Sequence, residues 1–380
     1  MPRQPPSTKR TRPRRNSAVG LATPQAQARG AAAFAEHLAL IRPEIEQRLR
    51  VCWDTKLHQA KHHGSQVAMM VSAARDLTLR GGKRFRAALL AAAYAGVAPR
   101  ARLDVAFEAG TAIELLQSYL LMQDDWMDGD ATRRGGPSVH AALGRALRDV
   151  HRGNAAAILS SDLTWGIALD TLAAIDAPAP RLVETIRLFI RIHEDVVFGQ
   201  QLDLLGSTKD VEKMHALKTG SYTVRGPLLL GATLGGGSAE ELASLARYAE
   251  PLGVAFQLRD DLLGAFGAKA DTGKAEGGDL RAGKRTAVLA EAEPRLDAAG
   301  RRAIKRVLGR ADADRADLRE ATRTLETCGA RAAVEQRLAD LCAEAESIAV
   351  DLPLAARART ILLGAAGAFR LPPPRPEASR

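Results

Sequence analysis

Aromatic side chains, cysteines and long apolar runs are all scarce in this sequence. Aromatic residues make up only 4% of the chain, whereas alanine and leucine abound, and this composition favours helices over strands. The three cysteines, Cys52, Cys328 and Cys342, lack the spacing of metal ligands and are odd in number, so we expect free thiols in a reducing compartment. The apolar run near residues 87–98 is too short to span a bilayer, and we find no signal peptide. Together these features predict a cytoplasmic protein.

Acidic residues are missing from the first 30 positions, which carry seven basic residues. This segment supplies most of the formal net charge of +10, and the remainder of about +3 argues against nucleic acid as the main partner. A basic, proline-rich tail is typically disordered, with contact to anionic membrane lipid or a transit peptide as alternatives. We assign residues 1–30 to a disordered tail, 31–368 to one all-α catalytic domain and 369–380 to a frayed, proline-rich end.

The centre of the chain contains an apolar helical stretch that ends in three acids. Residues 106–122 have helical spacing of apolar side chains and no proline, which predicts a buried helix. Asp124 and Asp128 then lie one turn apart on one face, with Asp125 between them. Carboxylates in this arrangement repel each other, and Mg²⁺, which binds one or two carboxylates together with water and phosphate oxygens, would relieve the repulsion. The alternative is an ordinary helix end with solvated acids.

A second acidic pair, Asp260-Asp261, also follows an apolar helical run. Two such helices facing each other would line a cleft with carboxylates, an arrangement that is costly unless cations fill it. Basic residues suited to phosphate occur elsewhere in the chain. Residues 80–86 combine glycines and cations at a helix N-terminus, which favours anion binding, and Arg133 and Arg134 supply donors that match a diphosphate.

Six motifs follow one another along roughly residues 65–290. They are Gly81-Gly82-Lys83-Arg84-Phe85-Arg86, Gln117 with Asp124-Asp125, Asp128 and Arg133-Arg134-Gly135, Gly199-Gln200 with Asp203, Lys218-Thr219-Gly220, Phe256-Gln257 with Asp260-Asp261, and Gly273-Lys274 with Asp279-Leu280 and Gly283-Lys284. This order resembles the trans-isoprenyl diphosphate synthases, also called polyprenyl synthetases. The resemblance implies an all-α bundle of mostly antiparallel helices around a deep central cavity, usually as a homodimer. The sequence differs from many members at Gly264, where they carry a third aspartate.

The resemblance implies a role for each matching residue. The implied catalytic residues are Asp124, Asp125, Asp128, Lys218, Asp260 and Asp261. Three Mg²⁺ ions per site would be held through Asp124, Asp128 and Asp260. The allylic diphosphate would be bound by Arg133, Lys218, Thr219, Gln257, Lys274 and Lys284. Isopentenyl diphosphate would be bound by Lys83, Arg86, Gln117 and Arg134.

The implied activity is that of a prenyltransferase, the Mg²⁺-dependent head-to-tail condensation of isopentenyl diphosphate with an allylic diphosphate. Tyr119 lies five residues before Asp124, about 7.5 Å along a helix. By the family's pattern a ring at this position limits the growing chain, while Leu120 beside it is smaller. The resemblance therefore predicts geranylgeranyl diphosphate (C20) as the product, with farnesyl diphosphate (C15) next. The alternative is that Tyr119 is an ordinary core residue.

Two other functions remain open at this stage. A class I terpene cyclase also uses aspartate-rich helices and magnesium, but its second motif usually differs from the Asp-Asp-Leu-Leu-Gly seen here. A non-catalytic subunit that regulates a partner synthase is the other alternative, although both acidic pairs are intact. The His193-Glu194-Asp195 triplet is interpreted as part of a solvated helix face and not as a nucleophilic triad.

Overall fold

The computed structural model describes residues 22–205, 214, 216–267, 277–310 and 312–371. Over these residues the chain is almost entirely helical, so the predicted all-α class is confirmed. The first seven helices are α1 (Pro24–His62), α2 (Ser65–Leu79), α3 (Phe85–Val97), α4 (Asp104–Met127), α5 (Val139–Leu147), α6 (Val150–Ala173) and α7 (Ala179–Leu205). A π-helix, π1 (Ala216–Arg225), is followed by α8 (Gly226–Gly235), α9 (Ala239–Phe266), α10 (Gly278–Arg281) and α11 (Ala287–Ala292). A 3₁₀ turn (Glu293–Arg295) precedes α12 (Ala298–Val307), α13 (Arg315–Thr327), α14 (Ala330–Val350) and α15 (Ala356–Gly367).

Helix α1 begins earlier than the sequence analysis predicted. Thr23 caps its N-terminus through its side-chain oxygen, and Pro24 occupies the first turn, where a missing N–H costs nothing. Gly30 is buried against Gly364 of α15, because only two glycines permit the two backbones to come so close. Assigning residues 24–30 to a disordered tail was therefore wrong. The rest of that predicted tail, residues 1–21, lies outside the described residues. Pro43 is accommodated inside the helix.

Helix α4 forms the centre of the core and ends in the acidic motif. Most of its residues from Ala106 to Ser118 are buried, and it packs against α3, α6 and α1. Small side chains allow this close packing, since a Cβ on Gly110 would press on Ile45 of α1 and Ala87 of α3. Burial of the apolar face, rather than helix propensity alone, holds this helix in place.

The C-terminal segment is less exposed than expected. Phe369 is buried, and its ring packs edge-to-face on Phe85 at 4.8 Å and on Phe256 at 5.6 Å between centroids. The assignment of residue 369 to a frayed end was thus wrong, because this ring completes the core beneath the first turn of α3. Residues 372–380 lie outside the described residues. In the described part of the chain, none of the helices combines the length and apolar character needed to cross a bilayer.

Candidate active site

Three aspartates lie together where α4 ends. Asp125 is completely buried, whereas the side chains of Asp124 and Asp128 are each about a quarter exposed, at 25% and 24%. A short hairpin, β1 (Thr132–Arg133) paired with β2 (Gly136–Pro137), follows and turns the chain back over the acids. Arg80 fixes this hairpin by donating hydrogen bonds to the carbonyl oxygens of Arg133 and Pro137. The hairpin therefore places Arg133 directly against the carboxylates.

Arg133 neutralises part of this acidic cluster. Its Nε donates to Oδ1 of Asp125 at 2.6 Å, and its Nη2 lies 3.3 Å from Oδ2 of both Asp124 and Asp130. Burial alone would lower the pKa of Arg133, but the hydrogen bond and the charges of the three acids outweigh it, so the pKa is raised. Burial also raises the pKa of Asp125 to about 6, although Arg133 opposes the shift.

Two lysines approach the same acids from other parts of the chain. Nζ of Lys218, on π1, lies 3.3 Å from Oδ1 of Asp124 and 2.5 Å from Oδ2 of Asp203. Nζ of Lys284 lies 3.5 Å from Oδ2 of Asp128. Burial raises the pKa of Asp124, but Lys218 and the other cations reverse this and lower it. The pKa of Asp128 is raised, first by burial and then by the charge of Asp124.

The second acidic pair lies near the end of α9. Asp261 is buried and accepts hydrogen bonds from the backbone N–H of Ala287 and from Nε2 of Gln257, each at 2.7 Å. Burial raises its pKa to about 7 despite these bonds. Asp260 is exposed. Burial lowers the pKa of Lys83, and the negative charge of Asp260 partly offsets this decrease. The two adjacent acids therefore differ: Asp261 anchors the helix end and Asp260 faces outward.

The space beside Gly264 is filled by another carboxylate. A Cβ built on Gly264 would overlap the carboxyl group of Asp279, which belongs to α10. The charge of Asp279 also raises the pKa of Lys284, which contacts Asp128. An acid from α10 thus occupies the place that a longer side chain at position 264 would need, and Lys284 links it to the end of α4.

The glycine-rich loop before α3 contains one arginine with a structural role. Arg84 is buried, adopts a positive φ of 52° and donates from Nη1 to Oε2 of Glu114 at 3.0 Å and from Nη2 to the carbonyl of Thr78. The charge of Glu114 also acts on Arg134, whose pKa burial lowers to about 10. Sequence reasoning missed Glu114, although an acid within an otherwise apolar buried helix was a usable signal.

The other residues predicted to bind isopentenyl diphosphate surround this loop. Arg134 lies beside it, with Nη2 3.6 Å from the position that a Cβ on Gly82 would take. Arg86, in the first turn of α3, donates to Thr223 at 2.8 Å. Gln117 is buried, and its Oε1 has no hydrogen-bond partner among the described residues. The ion pair of Arg84 with Glu114 is the contact that brings the basic loop to the middle of α4.

Tyr119 belongs to a group of stacked rings. Its hydroxyl lies 3.1 Å from Nε2 of His193, and its ring centroid lies 5.8 Å from that of Trp165. Trp165 stacks on His193 at 4.2 Å and on Phe189 at 5.5 Å. Burial lowers the pKa of His193, which favours the neutral ring. Interpreting His193 as part of a solvated face was therefore wrong, because the side chain packs inward against α4 and α6. Leu120 is partly buried against the core.

A cavity of about 590 Å³ lies between α7, π1, α8 and α9. Apolar Leu188, Ile192 and Leu229 line it together with the charged Asp195 and Arg225. It lies one to two turns from Lys218 along π1, and its described lining does not include the aspartates of the two acidic motifs at the ends of α4 and α9. The deep cavity expected beneath Asp124 therefore stays a prediction.

The carboxylates at the end of α4 fit a divalent cation. The side chains of Asp124 and Asp128 are partly exposed, and Oδ1 of Asp124 has no hydrogen-bond partner in the described part of the chain, although Lys218 lies within ion-pair distance of it. Within the described ranges no three acid, histidine or cysteine side chains already converge as a metal site. Magnesium does not require such a group, since it is commonly bound through one or two carboxylates, with water and substrate phosphates completing its shell.

Comparison with known proteins identifies the family. Residues 67–325 match the model of the polyprenyl synthetase family. The chain belongs to the polyprenyl synthetase family. A geranylgeranyl diphosphate synthase of Methanosarcina mazei is 31% identical over 268 residues, covering 68% of this chain and 76% of that protein. A farnesyl diphosphate synthase of Geobacillus stearothermophilus is 35% identical over 54% of this chain and 69% of that protein.

A solved polyprenyl synthetase structure agrees with this assignment. The geranylgeranyl pyrophosphate synthase of Corynebacterium glutamicum, in complex with isoprenyl diphosphate and magnesium, superimposes with a TM-score of 0.81 and 31% identity. The match covers 87% of this chain and 98% of that one. The resemblance inferred from the six motifs is thus confirmed. The roles of individual residues stay predictions, and Lys274 lies outside the described residues.

Proposed function

We propose that this chain is a short-chain prenyl diphosphate synthase that condenses isopentenyl diphosphate with an allylic diphosphate in the presence of Mg²⁺. The proposal depends on one observation: within the family's fold, the acidic ends of α4 and α9 lie close to the basic loop that precedes α3. Asp128, which caps the end of α4, contacts Lys284, whose pKa also responds to Asp279 beside α9. Lys83 of the basic loop responds to Asp260 on α9. Anionic substrates and cations would therefore converge at one place.

Asp124, Asp128 and Asp260 are the residues that would hold magnesium, as three ions per site. Bound magnesium would neutralise the charge that develops on the departing diphosphate. Asp125 is buried under Arg133 and contributes by orienting that arginine, while Asp261 anchors the end of α9 through Ala287. In this arrangement the exposed or partly exposed acids would bind cations, and the buried Asp125 and Asp261 would hold the framework.

The allylic diphosphate would be bound by the cations around the end of α4. Lys218 and Lys284 already contact the aspartates, so a diphosphate bound there would meet positive charge from both. Further contacts are expected from Arg133, Thr219, Gln257 and Lys274. Isopentenyl diphosphate would bind at the basic loop, through Lys83, Arg86, Gln117 and Arg134. These cations would hold the two substrates with the reacting carbons adjacent, which is a large part of the catalysis of a bimolecular reaction.

The product is proposed to be geranylgeranyl diphosphate, with farnesyl diphosphate next. The ring of Tyr119 is held in place, because His193 contacts its hydroxyl and Trp165 packs against its ring. A ring fixed on two sides is a firmer barrier to a growing hydrocarbon chain than a freely rotating one. This support favours Tyr119 as the residue that limits product length.

A homodimer is proposed from the surface of α6 and α7. Large apolar side chains are exposed on these two helices: Val150, Leu159, Val183, Ile190, Val197, Phe198, Leu204 and Leu205. Apolar side chains concentrated in this way mark an interaction surface more often than a solvent-facing one. A second copy of the chain is the proposed occupant. Light scattering should show that Leu159→Glu weakens the dimer, whereas Leu40→Glu, at a similarly exposed position on α1, leaves it intact.

One assay tests the proposed function against its alternatives. The purified protein is incubated alone with isopentenyl diphosphate, an allylic diphosphate and Mg²⁺, and the products are identified by mass. A linear C15 or C20 diphosphate supports the synthase. A cyclic hydrocarbon would indicate a terpene cyclase, and the absence of product would indicate a subunit that needs a partner. The cytoplasmic location stays a prediction from the sequence.

A further inference from the structure

The guanidinium of Arg86 is held by two residues of π1. Its Nη2 donates a hydrogen bond of 2.8 Å to Oγ1 of Thr223, and its Cζ lies 4.4 Å from the centroid of the Tyr222 ring. Thr223 is completely buried, so packing fixes the position of its hydroxyl group. A hydrogen bond at one nitrogen and an aromatic face against the plane together restrict both the position and the tilt of the guanidinium.

One donor of this guanidinium has no acceptor within the protein as described. The Nε of Arg86 is buried and lacks a hydrogen-bond partner among the described residues. Leaving a buried donor unpaired is unfavourable, and an oxygen of a phosphate group is an acceptor that suits arginine well. The held guanidinium therefore presents an unsatisfied N–H that a bound diphosphate could satisfy.

The segment that holds Arg86 is itself closely packed. A Cβ on Gly199 of α7 would overlap the backbone of Lys218, and a Cβ on Gly253 of α9 would lie 3.3 Å from the Cα of Gly220. Glycines at these two contacts let π1 fit tightly between α7 and α9. Lys218, on the same π-helix, contacts Asp124. Segments with π-helical hydrogen bonding occur frequently at functional sites, and here one such segment contacts both Asp124 and Arg86, which belong to the two proposed diphosphate sites.

We propose that Tyr222 and Thr223 are positioning residues for isopentenyl diphosphate, which orient Arg86 so that its unpaired Nε–H meets the diphosphate. This inference rests on the function proposed above. It assigns to π1 a second task besides carrying Lys218 and Thr219. Because Tyr222 and Thr223 act only through Arg86, their loss should weaken the binding of one substrate and not the other.

Paired variants test this role through the Michaelis constants of the two substrates. Tyr222→Leu removes the ring, and Thr223→Val removes the hydroxyl while keeping the shape. Each should raise KM for isopentenyl diphosphate by about 3- to 30-fold, with KM for the allylic diphosphate within about twofold of wild type. Tyr222→Phe keeps the ring and Thr223→Ser keeps the hydroxyl, so both should recover most of the lost affinity. Equal rises in both KM values, or unchanged KM for isopentenyl diphosphate, would overturn the proposal.

A second measurement separates this inference from the proposed function. Titration calorimetry with isopentenyl diphosphate alone, in EDTA, reports on the binding of this one substrate without metal or turnover. We expect Tyr222→Leu and Thr223→Val to bind about 3- to 30-fold more weakly than wild type, and the Phe and Ser variants to bind almost normally. If wild type forms no prenyl product, the proposed function is wrong, yet this titration still decides the positioning role. Equal affinity in all five proteins would refute it.

Discussion

Gly264 should resist a substitution that ordinarily stabilises helices. Replacing a glycine within a helix by alanine typically gains up to ~1 kcal/mol. At Gly264 the new Cβ would overlap the carboxyl group of Asp279, so this side chain must adopt another rotamer and move relative to Lys284, a rearrangement that costs ~1–3 kcal/mol. Gly264→Ala is therefore expected to leave the stability unchanged or to lower it by up to about 2 kcal/mol. Urea titration at one protein concentration would measure the free energy of unfolding.

Gly166 provides a matched control for this prediction. It lies within α6, and a Cβ built on it meets nothing within 4 Å, so Gly166→Ala should stabilise the protein by ~0.5–1 kcal/mol. In an Asp279→Ala background the obstacle is gone, and Gly264→Ala should then stabilise as well, giving a coupling of ~1–3 kcal/mol between the two positions. Equal stabilisation at both glycines, with no coupling to Asp279, would refute the reasoning.

The same overlap has a consequence for activity. Gly264→Asp would restore the third aspartate that many family members carry, yet it would place a second carboxylate against Asp279. Two like charges at about 4 Å repel by ~1 kcal/mol in water and ~4 kcal/mol at an effective dielectric constant of 20. We expect kcat/KM to fall in Gly264→Asp and to recover in Gly264→Asp/Asp279→Gly. An increase in activity in the single variant would contradict this.

Four further predictions concern the core, the product, the metal and pH. Glu114→Ala leaves the charge of Arg84 buried without its partner and should lower the free energy of unfolding by ~3–5 kcal/mol. A decrease of less than about 1 kcal/mol, measured by urea titration, would contradict the importance of the buried ion pair. Tyr119→Ala should lengthen the products separated by chromatography, and an unchanged length distribution would remove Tyr119 as the limiting residue. EDTA should abolish condensation reversibly. The circular dichroism spectrum should stay unchanged, because Lys218 and Lys284 neutralise the aspartates when metal is absent. An EDTA-induced loss of helix would count against this reasoning. Burial lowers the pKa of His37 below its unfolded value near 6.5, so protons bind preferentially to the unfolded chain. The stability of the protein should therefore fall as the pH drops below that value. In a series of unfolding midpoints measured at different pH, His37→Gln should make this fall smaller.

The sequence was sufficient for features that depend on local periodicity. The apolar spacing of residues 106–122 predicted a buried helix, and the helix ends in the acids at Asp124 to Asp128 as expected. The start of α1 was also readable, since Thr23 followed by Pro24 is a recognisable helix beginning. This helix start was missed because the disordered tail predicted from the basic residues was taken to reach residue 30.

Other features could not be predicted because they depend on contacts between distant residues. Lys83, Arg84 and Arg86 are all basic, and the sequence does not show which of them is buried. Arg84 is buried because it pairs with Glu114, which lies 30 residues away in the chain. His193 joins Tyr119 and Trp165 only after three helices have packed together. The π-helix π1 has only 10 residues, too few turns for its apolar spacing to be distinguished from that of an α-helix, so its contacts with Arg86 could not be predicted either.

The burial of Phe369 bears on how this protein should be handled in the laboratory. Its ring packs against Phe85, the first residue of α3 and the neighbour of Arg86, so it supports the start of the helix that follows the basic loop. Trimming the chain back to the end of α15 would remove this ring and open a void of aromatic size in the core, at a cost of ~3–5 kcal/mol. A shortened version should therefore keep Phe369, and affinity tags are better placed beyond Leu371 than in exchange for this segment.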